Sequence, residues 1–197
     1  GLPASFEGVI YDTASIASLH ALAAAREVAV SALRTKGLAG RSGLPRMCVY
    51  VSEQAHSSID KAAITLGFGQ DALRRIPADK QFRMRVDALR DAIDADRSTD
   101  RLPVAVVATV GTTSTTSVDP VAKIADVCQR ESIWLHVDAA YAGAAAIVPE
   151  TASILQGCER ADSLVVNPHK WLFTPFDLSA FYCRRMDMVR ATFALTP

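Results

Sequence analysis

Leu102-Pro103-Val104-Ala105-Val106-Val107-Ala108-Thr109-Val110 is an uncharged run containing four valines. A strand with one wet face would alternate apolar and polar residues. A near-continuous β-branched run therefore predicts a parallel strand covered on both faces. Pro103 opens it, and Gly111-Thr112-Thr113-Ser114-Thr115-Thr116-Ser117 reads as the loop that follows. Toward the C-terminus, Val118-Asp119-Pro120 predicts a helix with proline in its first turn, running to Arg130. Ser132-Ile133-Trp134-Leu135-His136-Val137-Asp138-Ala139-Ala140-Tyr141 then predicts a second buried strand, Ser163-Leu164-Val165-Val166 a third, and Leu178 to Cys183 a fourth. Toward the N-terminus, Val86 to Ile93 has helical apolar spacing and Asp94 to Arg101 reads as a polar loop, while Ala72 to Ile76 and Met47 to Val51 read as strands. Strands alternating with helices predict the α/β class, with a mostly parallel sheet and helices on both faces.

Two of these strands end in a charge. Asp138 closes one, and Lys170 follows the other through Asn167-Pro168-His169, where Pro168 biases Asn167 toward an extended backbone. In open α/β sheets ligands bind outside the carboxyl ends of the strands. A lysine in apolar surroundings loses its proton more readily, and a neutral amine is what attacks a carbonyl. A strand-end lysine is also commonly a solvated charge or half of an ion pair. His56, between the Met47–Val51 strand and the helix expected after it, falls at the same sheet edge, where a structural hydrogen-bonding role is equally open. Thr13 or Ser15 is a natural N-cap for a long helical pattern through Leu19, Leu22, Ala23, Val30 and Leu33 to Gly37, so free N–H groups gather at its start. No closing helix is expected before Pro197.

The motif Asn167-Pro168-His169-Lys170-Trp171-Leu172, preceded by His136-Val137-Asp138-Ala139-Ala140-Tyr141-Ala142-Gly143 with 32 residues from Asp138 to Lys170, resembles the aromatic-L-amino-acid decarboxylase branch of the group II decarboxylases. That resemblance implies the large domain of the fold type I, PLP-dependent transferase-like architecture, with pyridoxal 5'-phosphate (PLP) as cofactor. It implies that residues 1–197 are the central part of the large PLP-binding domain, with an N-terminal segment and a C-terminal small domain outside this chain. Lys170 is then the covalent anchor, Asp138 the partner of the pyridine nitrogen, and His56 the residue stacked on the ring. Ala14, Ser15 and Asn167 hold the phosphate end with His169 beside it, Thr113 orients the cofactor, and Ala140 contacts it. Asp12 and Ile16 depart from the family's usual residues, so the Asp12 side chain is expected to point away from the phosphate.

The implied reaction converts an L-amino acid, aromatic by the presence of Tyr141 and Trp171-Leu172, to its amine and carbon dioxide. The implied partners are that small-molecule substrate, the remainder of the same subunit and a second copy in a homodimer, in the cytoplasm. Other enzymes on this fold, an aldehyde synthase, an aminotransferase or a desulfurase, are the alternatives. A non-catalytic scaffold has no use for Lys170, Asp138 and His56 together. His136, Asp138 and His169 also have the composition of a two-histidine, one-carboxylate iron site. The chain carries 21 basic and 21 acidic residues, which points to no nucleic-acid or membrane surface. Its four cysteines stand far apart without a CxxC pair, as in a reduced cytosolic protein.

Overall fold

The computed structural model describes residues 2–195. In chain order the elements are β1 (Glu7–Tyr11), α1 (Ala14–Ala29), α2 (Leu33–Lys36), β2 (Arg46–Ser52), α3 (Ser58–Thr65), β3 (Leu73–Ile76), α4 (Val86–Ser98) and β4 (Arg101–Thr109). There follow α5 (Val121–Glu131), β5 (Trp134–Asp138), β6 (Ser163–Val166), α6 (Pro168–Trp171), β7 (Ser179–Cys183) and α7 (Met186–Phe193). The strands form one seven-stranded sheet in the order β1-β7-β6-β5-β4-β2-β3. From β3 to β6 every pairing is parallel, and β7 runs antiparallel between β6 and β1. The sheet is thus mostly parallel, as the valine-rich runs predict.

β4 sits near the centre, between β5 and β2, and its residues from Val104 to Thr109 are all buried. Alternation of side chains along each strand divides the core in two. Ala105, Val107, Trp134 and Val165 pack against α1, α3 and α7, whereas Val106, Ala108, Leu135 and Leu164 pack against α4 and α5. α1 presents Ala17, Ala21, Ala24 and Ala25 to the sheet, and these small side chains let the helix backbone lie close to it. Pro103 pairs with Cys48, and the ladder then slips so that Ala105, not Val104, meets Val49. This irregularity accommodates a residue that has no N–H for the ladder.

Three expectations are corrected. The long N-terminal helix breaks after Ala29, because Val30 is extended and Ala32 is left-handed at φ 66; the chain thereby turns Leu33 into the interior. The polar stretch after Ile93 is not a loop, since α4 continues to Ser98. Asp96 holds that turn in place by accepting from Tyr50 Oη at 2.9 Å and from both Arg74 Nε and Nη2, so its polarity is spent inside the fold. Burial works against the Asp96 charge, but Arg74 and Tyr50 prevail and hold its carboxyl below the usual range. A helix also closes the described chain, α7, burying Met186 and Val189 against the α1 layer. Pro197 itself lies outside the described residues.

Candidate active site

Because β2, β4, β5 and β6 run parallel, their C-terminal ends share one edge of the sheet. A cleft of about 380 Å³ opens there, and all nine residues singled out in the sequence line it. Lys170 and Asp138 are the only formally charged side chains among its described lining residues.

The first wall is the start of α1. Thr13 caps the helix, its Oγ1 accepting from Ile16 N–H at 3.3 Å. The N–H groups of Ala14 and Ser15 have no hydrogen-bond partner among the described residues and stand at the positive end of the helix dipole. Asp12 is exposed and does not line the cleft, in keeping with the expectation that it points away.

The floor is the end of β5. Asp138 is 6% exposed, and its Oδ1 accepts from Ala140 N–H at 3.1 Å. Two residues earlier on the same face, His136 is completely buried. Its Nδ1 lies 2.9 Å from Ser163 Oγ and its Nε2 lies 3.1 Å from Ser18 Oγ. Ser163 Oγ also accepts from Trp134 Nε1–H, so the neutral ring is held from opposite sides by two serine hydroxyls, one nitrogen donating and the other accepting. Burial pushes the His136 pKa down to about 4, against the pull of Asp138. With both nitrogens committed, His136 ties α1 to β5 and β6 and has no lone pair to offer a metal. The iron-site alternative is therefore discarded.

The third wall follows β6. Asn167 is extended at φ −105 and ψ 98, as a residue before proline should be, and is 4% exposed. Leu178 N–H donates to His169 Nδ1 at 3.0 Å, which places the proton of the neutral ring on Nε2. That Nε2 faces the Asn167 side-chain amide at 3.4 Å. Asn167 Oδ1 accepts from the buried Ser179 hydroxyl at 2.5 Å, so its NH2 is the side turned toward His169. Lys170 does not sit on the strand end itself. It lies on the one-turn α6 and is exposed rather than buried in apolar surroundings, with Nζ 5.9 Å from the centre of the Tyr141 ring.

His56 and Thr113 complete the rim. Ser58, buried at the start of α3, donates its N–H at 3.2 Å and its hydroxyl at 2.9 Å to His56 Nδ1, so the neutral ring carries its proton on Nε2. Thr113 stands in a loop closed at its base by Asp119, whose carboxylate accepts from Met84 N–H at 2.7 Å and Thr109 N–H at 2.8 Å. Burial nevertheless pushes the Asp119 carboxyl up to about 6. Gly111 begins this loop at φ +87, and a Cβ there would meet Ala142 Cβ at 2.5 Å.

Ser58, Thr109, Gly111 and Phe176 also line the cleft and were not assigned to it from the sequence. Ser58 stood inside the histidine motif, two residues on, and Thr109 was the one hydroxyl ending the valine-rich run. Phe176 carried no such signal.

The arrangement joins an amine, a buried carboxylate and unpaired N–H groups in one polar cleft with aromatic edges. Such a donor set fits a phosphorylated, carbonyl-bearing heteroaromatic group: an anion at α1, a protonated ring nitrogen at Asp138, and a carbonyl carbon at Lys170. Residues 2–197 match the sequence profile described as the pyridoxal-dependent decarboxylase conserved domain. The chain is 44% identical over 192 residues to the aromatic-L-amino-acid decarboxylase of Sus scrofa, covering 96% of this chain and 39% of that protein. It superposes on the crystal structure of Oryza sativa TDC with PLP and tryptamine with a TM-score of 0.89 and 42% identity, covering 98% of this chain and 39% of that one. It also superposes on Rhodiola rosea 4-hydroxyphenylacetaldehyde synthase with a TM-score of 0.91 and 32% identity, covering 98% and 42% of the two chains. The chain thus spans about two fifths of the length of these relatives.

Proposed function

This chain belongs to the pyridoxal-dependent decarboxylase family, and on that premise we propose that the whole protein is a PLP-dependent decarboxylase releasing carbon dioxide and an amine from an aromatic L-amino acid. The observation that carries this reading is the meeting of Lys170, Asp138 and the α1 N-terminus in one cleft. Residues 1–197 would be the central part of the large cofactor-binding domain.

When bound, PLP supplies an electron sink for the pair left behind as the Cα–carboxylate bond breaks. The chain's own residues prepare that event. Lys170 Nζ would hold the carbonyl carbon until the substrate amine replaces it. The Asp138 carboxylate would keep a proton on the ring nitrogen, and its burial at 6% exposure strengthens that interaction over its value in water. Ala14 and Ser15 N–H would meet the phosphate together with Asn167, whose amide is oriented by the Ser179 hydroxyl, with His169 beside it. His56, its ring fixed from behind by Ser58, would cover one face of the cofactor, while Thr113 and Ala140 set its edge. Together these contacts hold the scissile bond in one orientation, which is a positioning effect. A proton delivered to Cα then takes the place of the lost carboxylate.

Tyr141 and Phe176 line the cleft, and Trp171 packs edge-on to Tyr141 at 5.5 Å, which supports an aromatic substrate. The exposed side chains of Trp171, Leu172, Phe173 and Phe176 beside Lys170 support a homodimer in which a second copy covers this rim. Four free, buried cysteines support a cytoplasmic location, and no described helix is long and apolar enough to cross a membrane. The likeness to an aldehyde synthase makes oxidative release of an aldehyde the second reading.

The test is borohydride reduction of the full-length protein followed by peptide mass mapping. A pyridoxyl adduct on Lys170, with carbon dioxide and amine released from an aromatic amino acid, is the expected result. Aldehyde and oxygen consumption in place of amine would move the assignment to the second reading. Protein that carries no adduct after incubation with PLP overturns both.

A further inference from the structure

Thr109 ends β4 beside Asp138, its register partner on β5. Both side chains point to the α1 side of the sheet, because Thr109 shares the parity of Ala105 and Val107 and Asp138 that of Trp134. The residue is 4% exposed and lines the cleft, yet its Oγ1 has no hydrogen-bond partner among the described residues. Its backbone offers no slack to find one. Thr109 N–H donates to Asp119 Oδ2 at 2.8 Å, and Asp119 N–H donates to the Thr109 carbonyl at 2.9 Å.

A buried hydroxyl left unpaired lowers stability, and valine has nearly the same shape without that cost. The rest of the run shows how readily valine fits this strand, at positions 104, 106, 107 and 110. An unpaired hydroxyl in the floor of a cleft, next to the carboxylate that would face a ring nitrogen, has one evident use. We propose that Thr109 is a further cofactor-binding residue, its hydroxyl finding its hydrogen-bond partner on the group that fills the cleft. The proposal rests on the PLP reading above and adds to it a residue outside the motifs that suggested that reading. It carries a consequence that a purely structural threonine would not: the hydroxyl costs the empty protein stability and strengthens binding.

The experiment compares wild type, Thr109→Val and Thr109→Ser in the full-length protein. Two quantities are read: the thermal midpoint of the cofactor-free protein, and the PLP dissociation constant by absorbance titration. Thr109→Val is expected to melt at the same temperature as wild type or higher, yet to bind PLP about tenfold more weakly, and Thr109→Ser to bind within a few-fold of wild type. A Val variant that melts lower, or does not fold, overturns the proposal by showing that the hydroxyl already has a partner inside the protein. Unchanged PLP affinity in the Val variant also overturns it, with the functional reading left intact. Wild-type protein that binds no PLP overturns both together.

Discussion

His136→Gln probes the clasp that joins the α1 wall of the cleft to its floor. His136 is fully buried between Ser18 on α1 and Ser163 on β6, with Phe181 and Trp134 in the same layer and Asp138 two residues along its strand. Its pKa near 4, against 6.5 for a free histidine, corresponds to about 3 kcal/mol. The sign follows from which state takes up the proton. Above pH 6.5 both folded and unfolded chains hold the ring neutral and the contribution is fully present. As pH falls below 6.5 the unfolded chain binds a proton that the folded one refuses, and stability is lost progressively down to about pH 4. Glutamine can serve the same two hydroxyls with its amide and does not titrate. At pH 7.5 the variant should be less stable by about 1–2 kcal/mol, for imperfect hydrogen bonds and packing. That gap should close with acidification and reverse near pH 4.5. Urea unfolding of the cofactor-free protein at intervals from pH 4.5 to 7.5 measures it. A gap that stays constant over this range would refute the neutral, doubly bonded His136.

Two further outcomes test the site's scaffold. Gly111→Ala places a Cβ at φ +87 and 2.5 Å from Ala142 Cβ, and should cost about 2–4 kcal/mol in urea unfolding and displace the Thr113 loop; wild-type stability would show that the loop tolerates the clash. Asp138→Asn keeps an acceptor for Ala140 N–H, so its thermal midpoint should stay near that of wild type while carbon dioxide release falls by about 100-fold or more, and a variant with undiminished activity would remove Asp138 from the proposed role.

Much of this molecule is legible along the chain because its central strands are buried on both faces. Leu102–Val110 and Ser163–Val166 announce themselves by continuous apolar composition, and Thr13 by the helix it caps. The parallel order of β2, β4, β5 and β6 then follows from the intervening helices, so the residues after each strand converge on one edge. What did not show is everything decided by partners distant in sequence. Asp94 to Ser98 is polar, and polarity alone reads as loop; Asp96 is helical and buried because Arg74 and Tyr50, 22 and 46 residues away, take its charge. The turn at Ala32 and the closing α7 depend on which surfaces of α1 and the sheet remain to be covered. His136 looked like a metal ligand until Ser18, 118 residues earlier, occupied its second nitrogen.

The sequence by itself determined the α/β class, the covered parallel strands and the membership of Lys170, Asp138 and His56 in one sheet edge, since side-chain period and strand direction are local properties of the chain. Only the tertiary structure decided the protonation of His136, the anchoring of His56 by Ser58 and the unpaired hydroxyl of Thr109. Each of these depends on which polar groups meet once water is excluded, and no spacing along the chain records that.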